Sequence, residues 1–310
     1  MIRAETATVL ETAHLRVVLD TARGADVVGF THTATGIDLA PAWPAEEYSG
    51  GWQEVLPNGG PPSEFEGARY GQHGEACALP WDAEVDRDDD GAVSARLRTA
   101  LTQTPMQVER RVTLAADAAA MRVDEILVNE GDRPQRAMWG QHLAFGPPFV
   151  GPGDVIEIAE GARVVPHAGP LPGGRRVAAG REHRWPVATG PGGAPVDLSV
   201  VPPVGAPTEM LYLTGLREGR YALRTRHGLR LTVEWDVERL PWLWLWQELG
   251  ATREHPWNGA AYFIGLEPFS SYPSEGLPAA VANGTALTVP PEGSIRIWWS
   301  ARVEATGDRP

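Results

Sequence analysis

Apolar and polar residues alternate with a period of two through most of the readable segments of this chain. In Val93-Ser94-Ala95-Arg96-Leu97-Arg98 the valine, alanine and leucine share one face, and serine and arginine take the other. That is the pattern of a strand with one side in a core. The same reading, with enrichment in Val, Ile, Leu, Thr, Tyr and Trp, predicts strands over 14–19, 26–31, 106–114, 120–129, 154–158, 220–226, 229–235, 242–247, 261–267 and 294–303. Helical periodicity is scarce. Residues 114–120 are alanine-rich, but the segment is short and joins two alternating stretches, which predicts a hairpin connection. Turn residues such as Asn129-Glu130-Gly131-Asp132 and Asn283-Gly284 separate the strands. The expected class is all-β, a large antiparallel sandwich.

Two regions break the alternation, 40–72 and 164–208, and both are rich in Pro and Gly. Connections of that length in a β protein predict functional rims or mobile excursions. No internal repeat or charge shift marks a boundary, so one domain spanning 1–310 is expected. With 310 residues and 43% hydrophobic content, the chain can bury a substantial core.

The charge balance narrows the partners. Lys+Arg is 27 against Asp+Glu 40, a net charge of −13, which disfavours nucleic acid and anionic membrane surfaces. Every fixed side-chain cation is arginine, because the sequence has no lysine. Schiff-base chemistry and a phosphate-loop lysine are therefore excluded. Cys77 is the one cysteine and is expected to be a buried, inert thiol. Met1-Ile2-Arg3-Ala4-Glu5 lacks the basic start and apolar run of a signal peptide, and no segment approaches eighteen consecutive apolar residues. A soluble cytoplasmic protein, monomer or homodimer, is the expectation.

Common phosphate, metal and hydrolase signatures (Gly-x-Gly-x-x-Gly, His-Glu-x-x-His, Gly-x-Ser-x-Gly) are missing. Asp86-Arg87-Asp88-Asp89-Asp90-Gly91 imitates the opening of a calcium loop, but its twelfth position is Leu97, where a bidentate glutamate is required. A solvated hairpin turn is predicted there.

Polar chemistry concentrates in three aromatic, glycine-rich segments. The first contains Ser49-Gly50-Gly51-Trp52-Gln53-Glu54-Val55-Leu56-Pro57-Asn58 and then Tyr70-Gly71-Gln72-His73-Gly74-Glu75, with His73 between turn glycines. The second, from Met138 to Phe149, puts His142 on a strand that ends at Pro147-Pro148. In the third, Tyr262 to Tyr272, Glu267 ends an apolar strand and Pro268 terminates regular pairing. A carboxylate there is costly unless paired, hydrated or used, and partial desolvation would raise its pKa toward that of a general base. An exposed loop histidine, a satisfied core histidine and a structural ion pair would have the same sequence surroundings. Trp242, Trp244 and Trp246 share one strand face, with Leu243 and Leu245 on the other. Indoles of that kind suit a sandwich core or a sugar-binding cleft.

His73-Gly74 in a Gly-rich loop, His142 before an aromatic-Pro bend, and Leu266-Glu267-Pro268 late in the chain together resemble the aldose 1-epimerases of the galactose mutarotase-like superfamily. The closing Pro290-Pro291-Glu292-Gly293 turn and its following strand are similar to that family's end. The resemblance implies a β-supersandwich and a cofactor-independent, metal-free mutarotase whose partner is a small sugar. It implies Glu267 as general base on the anomeric hydroxyl and His142 as general acid on the ring oxygen. His73 would then bind the sugar or assist. Acid and base are expected on opposite sides of a pyranose. Asn58 stands in the family's Asn-Arg pair with Gly59 beside it, so Arg69 is a candidate replacement for the arginine, and Gln247, Trp246 and Asp236 are candidates for substrate binding. A non-catalytic carbohydrate-binding protein is one alternative. A lyase or glycoside-cleaving enzyme using Glu267 with Glu248 is another. A sugar phosphate would require arginines such as Arg69, Arg181, Arg184 or Arg253 in the cleft.

Overall fold

A computed structural model describes residues 7–40 and 51–306. The readings above on Met1 to Glu5, on Ser49-Gly50 and on the 41–50 part of the first irregular region lie outside the described residues. Two antiparallel sheets pack face to face. In the thirteen-stranded sheet the strands run Ala7–Glu11, Leu15–Asp20, Asp26–His32, Trp52–Val55, Gly140–Phe145, Phe263–Phe269, Trp242–Glu248, Glu209–Thr214 and Arg163–Pro166. The edge beyond holds His183–Arg184, Val187–Thr189 and Pro195–Asp197, and Ile37–Asp38 pairs beside Asp26–His32. The eight-stranded sheet runs Val155–Ile158, Arg220–Arg224, Leu229–Trp235, Ser294–Ala305, Ala120–Asn129, Met106–Leu114, Val93–Ala100 and Asp82–Arg87.

The inner faces form the main core, which draws on residues from Leu10 to Val303. Trp52 sits between Phe30 (centroids 4.7 Å apart) and Trp299 of the opposite sheet (6.0 Å). Strand alternation produces this core directly: Val93, Ala95 and Leu97 are buried, while Arg96 and Arg98 are exposed. A smaller apolar cluster lies on the outer side of the thirteen-stranded sheet. It includes Val55, Met138, Tyr212, Trp244, Phe269 and Leu277, and Trp244 stacks on Phe269 at 3.7 Å. Gly140 makes room for that stack, since a Cβ there would overlap the Phe269 ring.

The strands predicted over 106–114, 120–129 and 229–235 form with those bounds. The 115–119 hairpin connection and the solvated turn after Arg87 are also observed. Three expectations need correction. The irregular regions contain strands: Trp52–Val55 lies in the interior of its sheet, and the second region supplies Arg163–Pro166 and the edge beyond it. Trp52–Val55 is buried on both faces, which erases alternation, and the edge strands are only two or three residues long. Next, the 261–267 strand is shifted to Phe263–Phe269, so Glu267 lies inside it and Pro268 does not end it. Finally, Asn283-Gly284 closes a one-and-a-half-turn helix, Leu277–Ala282, with Gly284 at φ +78°. Among the described residues no helix is long and apolar enough to cross a membrane.

Candidate active site

On the outer face of the thirteen-stranded sheet, neighbouring strands place Gln53, His142, Glu267, Trp244 and Tyr212 side by side. His142 Nε2 is 3.5 Å from Glu267 Oε1. The ladder between their strands is interrupted here. Gly140 pairs with Phe269, and pairing resumes only at Ala144–Gly265. Pro268, which has no N–H to donate, lies in that gap while remaining paired with Leu243 on its other side. Gly265, two residues before Glu267 on the same face, leaves the space that the carboxylate occupies: a Cβ at Gly265 would overlap Glu267 Oε1.

His73 arrives from the loop. Its ring centroid is 5.0 Å from that of His142, and its backbone is held at φ +61°, a conformation uncommon outside glycine. Two backbone bonds lock it there, from His73 N–H to Gly60 O (3.0 Å) and from Leu56 N–H to His73 O (3.2 Å). Glu75 fastens the end of the loop by accepting hydrogen bonds from Thr102 and Gln103. Cys77 is buried and free, and burial pushes its thiol up to about 12, as expected of an inert thiol.

Burial dominates the electrostatics. Glu267 is 3% exposed and its pKa is raised well above the ordinary carboxylate value. Burial lowers His142 to about 3, with the neighbouring His73 contributing, and lowers His73, a half-buried residue, to about 4. Near neutral pH both histidines are uncharged. The carboxyl group and the imidazole can exchange a single proton.

Trp246 joins this pair to a cavity of about 340 Å³; its ring is 5.9 Å from His142 and 5.5 Å from Trp257. His167, Glu248, Ser274 and Glu275 also line the cavity. His167 Nδ1 bonds Tyr212 Oη at 2.8 Å, and its Nε2 is 3.8 Å from Glu275. His167, Trp257 and Glu275 were missed from sequence because they lie in irregular segments without a readable period.

The structure thus brings His73, His142, Glu267 and Trp246 together and separates the other four candidates from them. Asn58 is fully buried, and both ends of its amide are used. Nδ2 donates to Pro61 O and Gly71 O, while Oδ1 accepts from Ser63 Oγ and from Leu277 N–H. It is a strut between loops, with no hydrogen-bonding capacity left for a ligand. Arg69, with 83% of its side chain exposed, pairs with Glu64 across a hairpin. Gln247 has the parity of Leu243 and Leu245, so it points to the other side of the sheet, where Oε1 accepts from Arg176 at 2.6 Å. Asp236 caps the turn at Glu238 and Arg239 and lines a cavity on the eight-stranded sheet. The expectation that Glu267 and His142 stand on opposite sides of a pyranose also needs correction, because their side chains lie 3.5 Å apart. Atoms 3.5 Å apart cannot flank a sugar ring, but they can address two oxygens bonded to the same carbon. Among the described residues no group of His, Cys, Asp or Glu is arranged to hold a metal ion.

Comparison with known proteins supplies the fold. The family model described as a domain of unknown function, DUF4432, matches residues 52–191. No curated protein matches the chain. Among solved structures, the Slr1438 protein of Synechocystis sp. PCC 6803 is similar with a TM-score of 0.70 at 20% identity, covering 96% of each chain. A galactose mutarotase-like protein from Clostridium acetobutylicum gives 0.68 at 12% identity, over 96% of this chain and 95% of the other. A galactose mutarotase related enzyme from Lactobacillus acidophilus gives 0.64 at 16%, over 98% and 99%. The fold is galactose mutarotase-like.

Proposed function

We propose that the protein is a cofactor-independent aldose 1-epimerase acting on an uncharged aldose. The observation that carries this reading is the buried Glu267–His142 pair, 3.5 Å apart at a break in the ladder and beside the Trp246 cavity. The Glu267 carboxylate takes the proton of the anomeric hydroxyl, and His142 gives its N–H proton to the ring oxygen on the same carbon and recovers one from Glu267, so that one proton in all moves from O1 to O5. The C1–O5 bond breaks to give the open-chain aldehyde. Rotation about C1–C2 presents its other face, and reclosure with the proton transfers reversed gives the other anomer. His73 steers His142 and the sugar, and Trp246 and Trp257 pack on the apolar face of the ring.

The walls of the cavity support an uncharged substrate. Glu248 and Glu275 line the cavity, and none of Arg69, Arg181, Arg184 and Arg253 does. A phosphate would meet carboxylates there. The glycoside-cleaving alternative loses its second carboxylate, because Glu248 is 1% exposed and accepts from Thr208, Gly250 and Thr252. The test is anomer exchange by saturation-transfer NMR on a panel of aldoses, with wild type, Glu267→Gln and His142→Gln side by side. Exchange above the buffer rate that vanishes in Glu267→Gln is the expected result. Saturable sugar binding without exchange in wild type would instead identify a carbohydrate-binding protein.

A further inference from the structure

The cavity beside Trp246 holds a polar group that the proton transfers do not use. His167 follows the strand Arg163–Pro166, and its N–H continues the ladder to Met210 O at 2.9 Å. It stands two residues past Val165, the cross-strand partner of Tyr212, so its side chain shares the outer face with Tyr212 and Glu267. Arg175 fastens the turn that follows, Nη1 donating to His167 O at 3.0 Å and Nη2 to Gly169 O. Gly169 leaves the space that the ring needs, since a Cβ there would stand 2.8 Å from His167 Nε2.

The neighbours fix which nitrogen of His167 carries the proton. Burial holds its pKa below the ordinary histidine value against the pull of Glu275, so near pH 7 the ring is neutral and has one N–H. Tyr212 Oη accepts from Ser274 N–H at 2.9 Å, which leaves one O–H and one lone pair for Ser274 Oγ and His167 Nδ1, both at 2.8 Å. Either Tyr212 donates to Nδ1 and accepts from Ser274 Oγ, or both bonds run the other way. The second arrangement would aim the lone pair of Nε2 at the Glu275 carboxylate, 3.8 Å away, and the first aims an N–H at it. Charge favours the first. At 3.8 Å the two groups are too far apart to bond each other. Among the described residues neither Nε2 nor the Glu275 carboxylate has another hydrogen-bond partner.

A donor and an acceptor spaced in this way make a seat for one hydroxyl group, which accepts from Nε2–H and donates to Glu275 with its oxygen about 2.9 Å from each. Trp246 and Trp257, with ring centroids 5.5 Å apart, supply apolar faces for the carbon skeleton that carries it. The strand leading to His167 is three strands from that of Glu267, about 14 Å across the sheet. The seated hydroxyl therefore belongs to the end of the substrate remote from the anomeric carbon. Backbone ties hold that spacing. Gly276 N–H donates to Gly59 O at 3.0 Å and Leu277 N–H to Asn58 Oδ1 at 2.8 Å, which joins the Glu275 segment to the turn whose Gly60 O anchors His73.

We infer that His167 and Glu275 form a clamp for a remote sugar hydroxyl, on C4 or C6 of the reacting ring or on a second ring linked to it, and that this clamp sets substrate specificity. The inference rests on the epimerase reading for its ligand class, and the clamp acts on binding, not on the proton transfers.

The experiment measures anomer exchange and calorimetric affinity for glucose, 4-deoxyglucose, 6-deoxyglucose and maltose, with wild type, His167→Phe and Glu275→Gln. In wild type one deoxy sugar should lose about tenfold in affinity and kcat/KM relative to glucose, or maltose should gain about tenfold. The first result places the clamped hydroxyl at the missing position, and the second places it on the linked ring. In both variants that preference should disappear, with the loss falling on KM rather than kcat. A residue that only supported the fold would weaken all four sugars alike. Glu275 is half-exposed, so Glu275→Gln is expected to melt as wild type does. Binding without exchange in wild type would remove the epimerase reading and leave the clamp tested by the affinities. No preference among the four sugars in wild type, a wild-type preference retained in either variant, or no binding of any of the four would overturn the clamp.

Discussion

Burial disfavours the charged form of Glu267, and the cost to the fold has a measurable sign. Its pKa is higher in the folded chain than in the unfolded one, so the folded state holds the proton more tightly. The stability advantage is complete below the ordinary carboxylate pKa and is lost as pH rises through the folded value. Glu267→Gln should therefore abolish anomer exchange and at the same time stabilise the protein at pH 8 relative to wild type, by about 1 kcal/mol or more. Denaturant melts of the two proteins at pH 4 and pH 8 test this, and a variant less stable than wild type at pH 8 would contradict it. The same shifts set the rate profile. With Glu267 as base, kcat/KM should rise with pH through a limb above the usual carboxylate range. No limb is expected near 6.5, because His73 and His142 lie at about 4 and 3. A rate that falls with rising pH would reverse the roles of Glu267 and His142.

At the scale of elements, one strand supplies both the carboxylate and the space it needs. The run Gly265-Leu266-Glu267-Pro268 alternates, so Leu266 enters the core while Gly265 and Glu267 share the outer face. Gly265→Ala should displace the Glu267 carboxylate and lower kcat at least tenfold with little change in secondary structure, measured by anomer exchange and circular dichroism. Gly140→Ala, one strand away, meets the Phe269 ring instead and should cost about 1–3 kcal/mol of stability in a denaturant melt. The long alternating strands were legible in sequence because a half-buried face imposes the period. Trp52–Val55 was not, since both its faces are covered. Parity already separated Gln247 from Trp246: it follows Leu243 and Leu245 in the alternation, and the side of the sheet it reaches follows from that.

The two sheets are joined by a buried polar cluster as well as by apolar packing. Arg110 of the eight-stranded sheet reaches Glu54 of the other and lies 3.6 Å from Glu125. Gln141, the residue before His142, donates to Glu54 at 3.0 Å and to Glu125 at 3.1 Å, and Trp139 and Trp299 donate to the same two carboxylates. Burial and the nearby Glu54 raise the pKa of Glu125. Arg110→Met would leave two carboxylates in the interior without their cation, and should cost about 3–5 kcal/mol at pH 7. The deficit should shrink in acid as the carboxylates take up protons, and Arg110→Met/Glu125→Gln should recover part of it. Chemical denaturation across pH 5–8 checks both statements.

The sequence by itself determined the fold class, the registerable strands and the chemistry that an all-arginine, acidic chain excludes, because alternation and composition act locally along the chain. Through a family resemblance carried by short local motifs it also pointed to His73, His142 and Glu267, and it offered Trp246, Asn58, Arg69, Gln247 and Asp236 as binding candidates. Only the tertiary structure decided that His73, His142, Glu267 and Trp246 meet, that the Glu267 carboxyl and the His142 imidazole lie 3.5 Å apart, and that Asn58, Arg69, Gln247 and Asp236 have other partners. Those outcomes depend on which strands become neighbours, as when Trp52–Val55 inserts beside Gly140–Phe145. Pairing over such sequence separations is set by the packing of the whole core, and a local pattern holds no record of it.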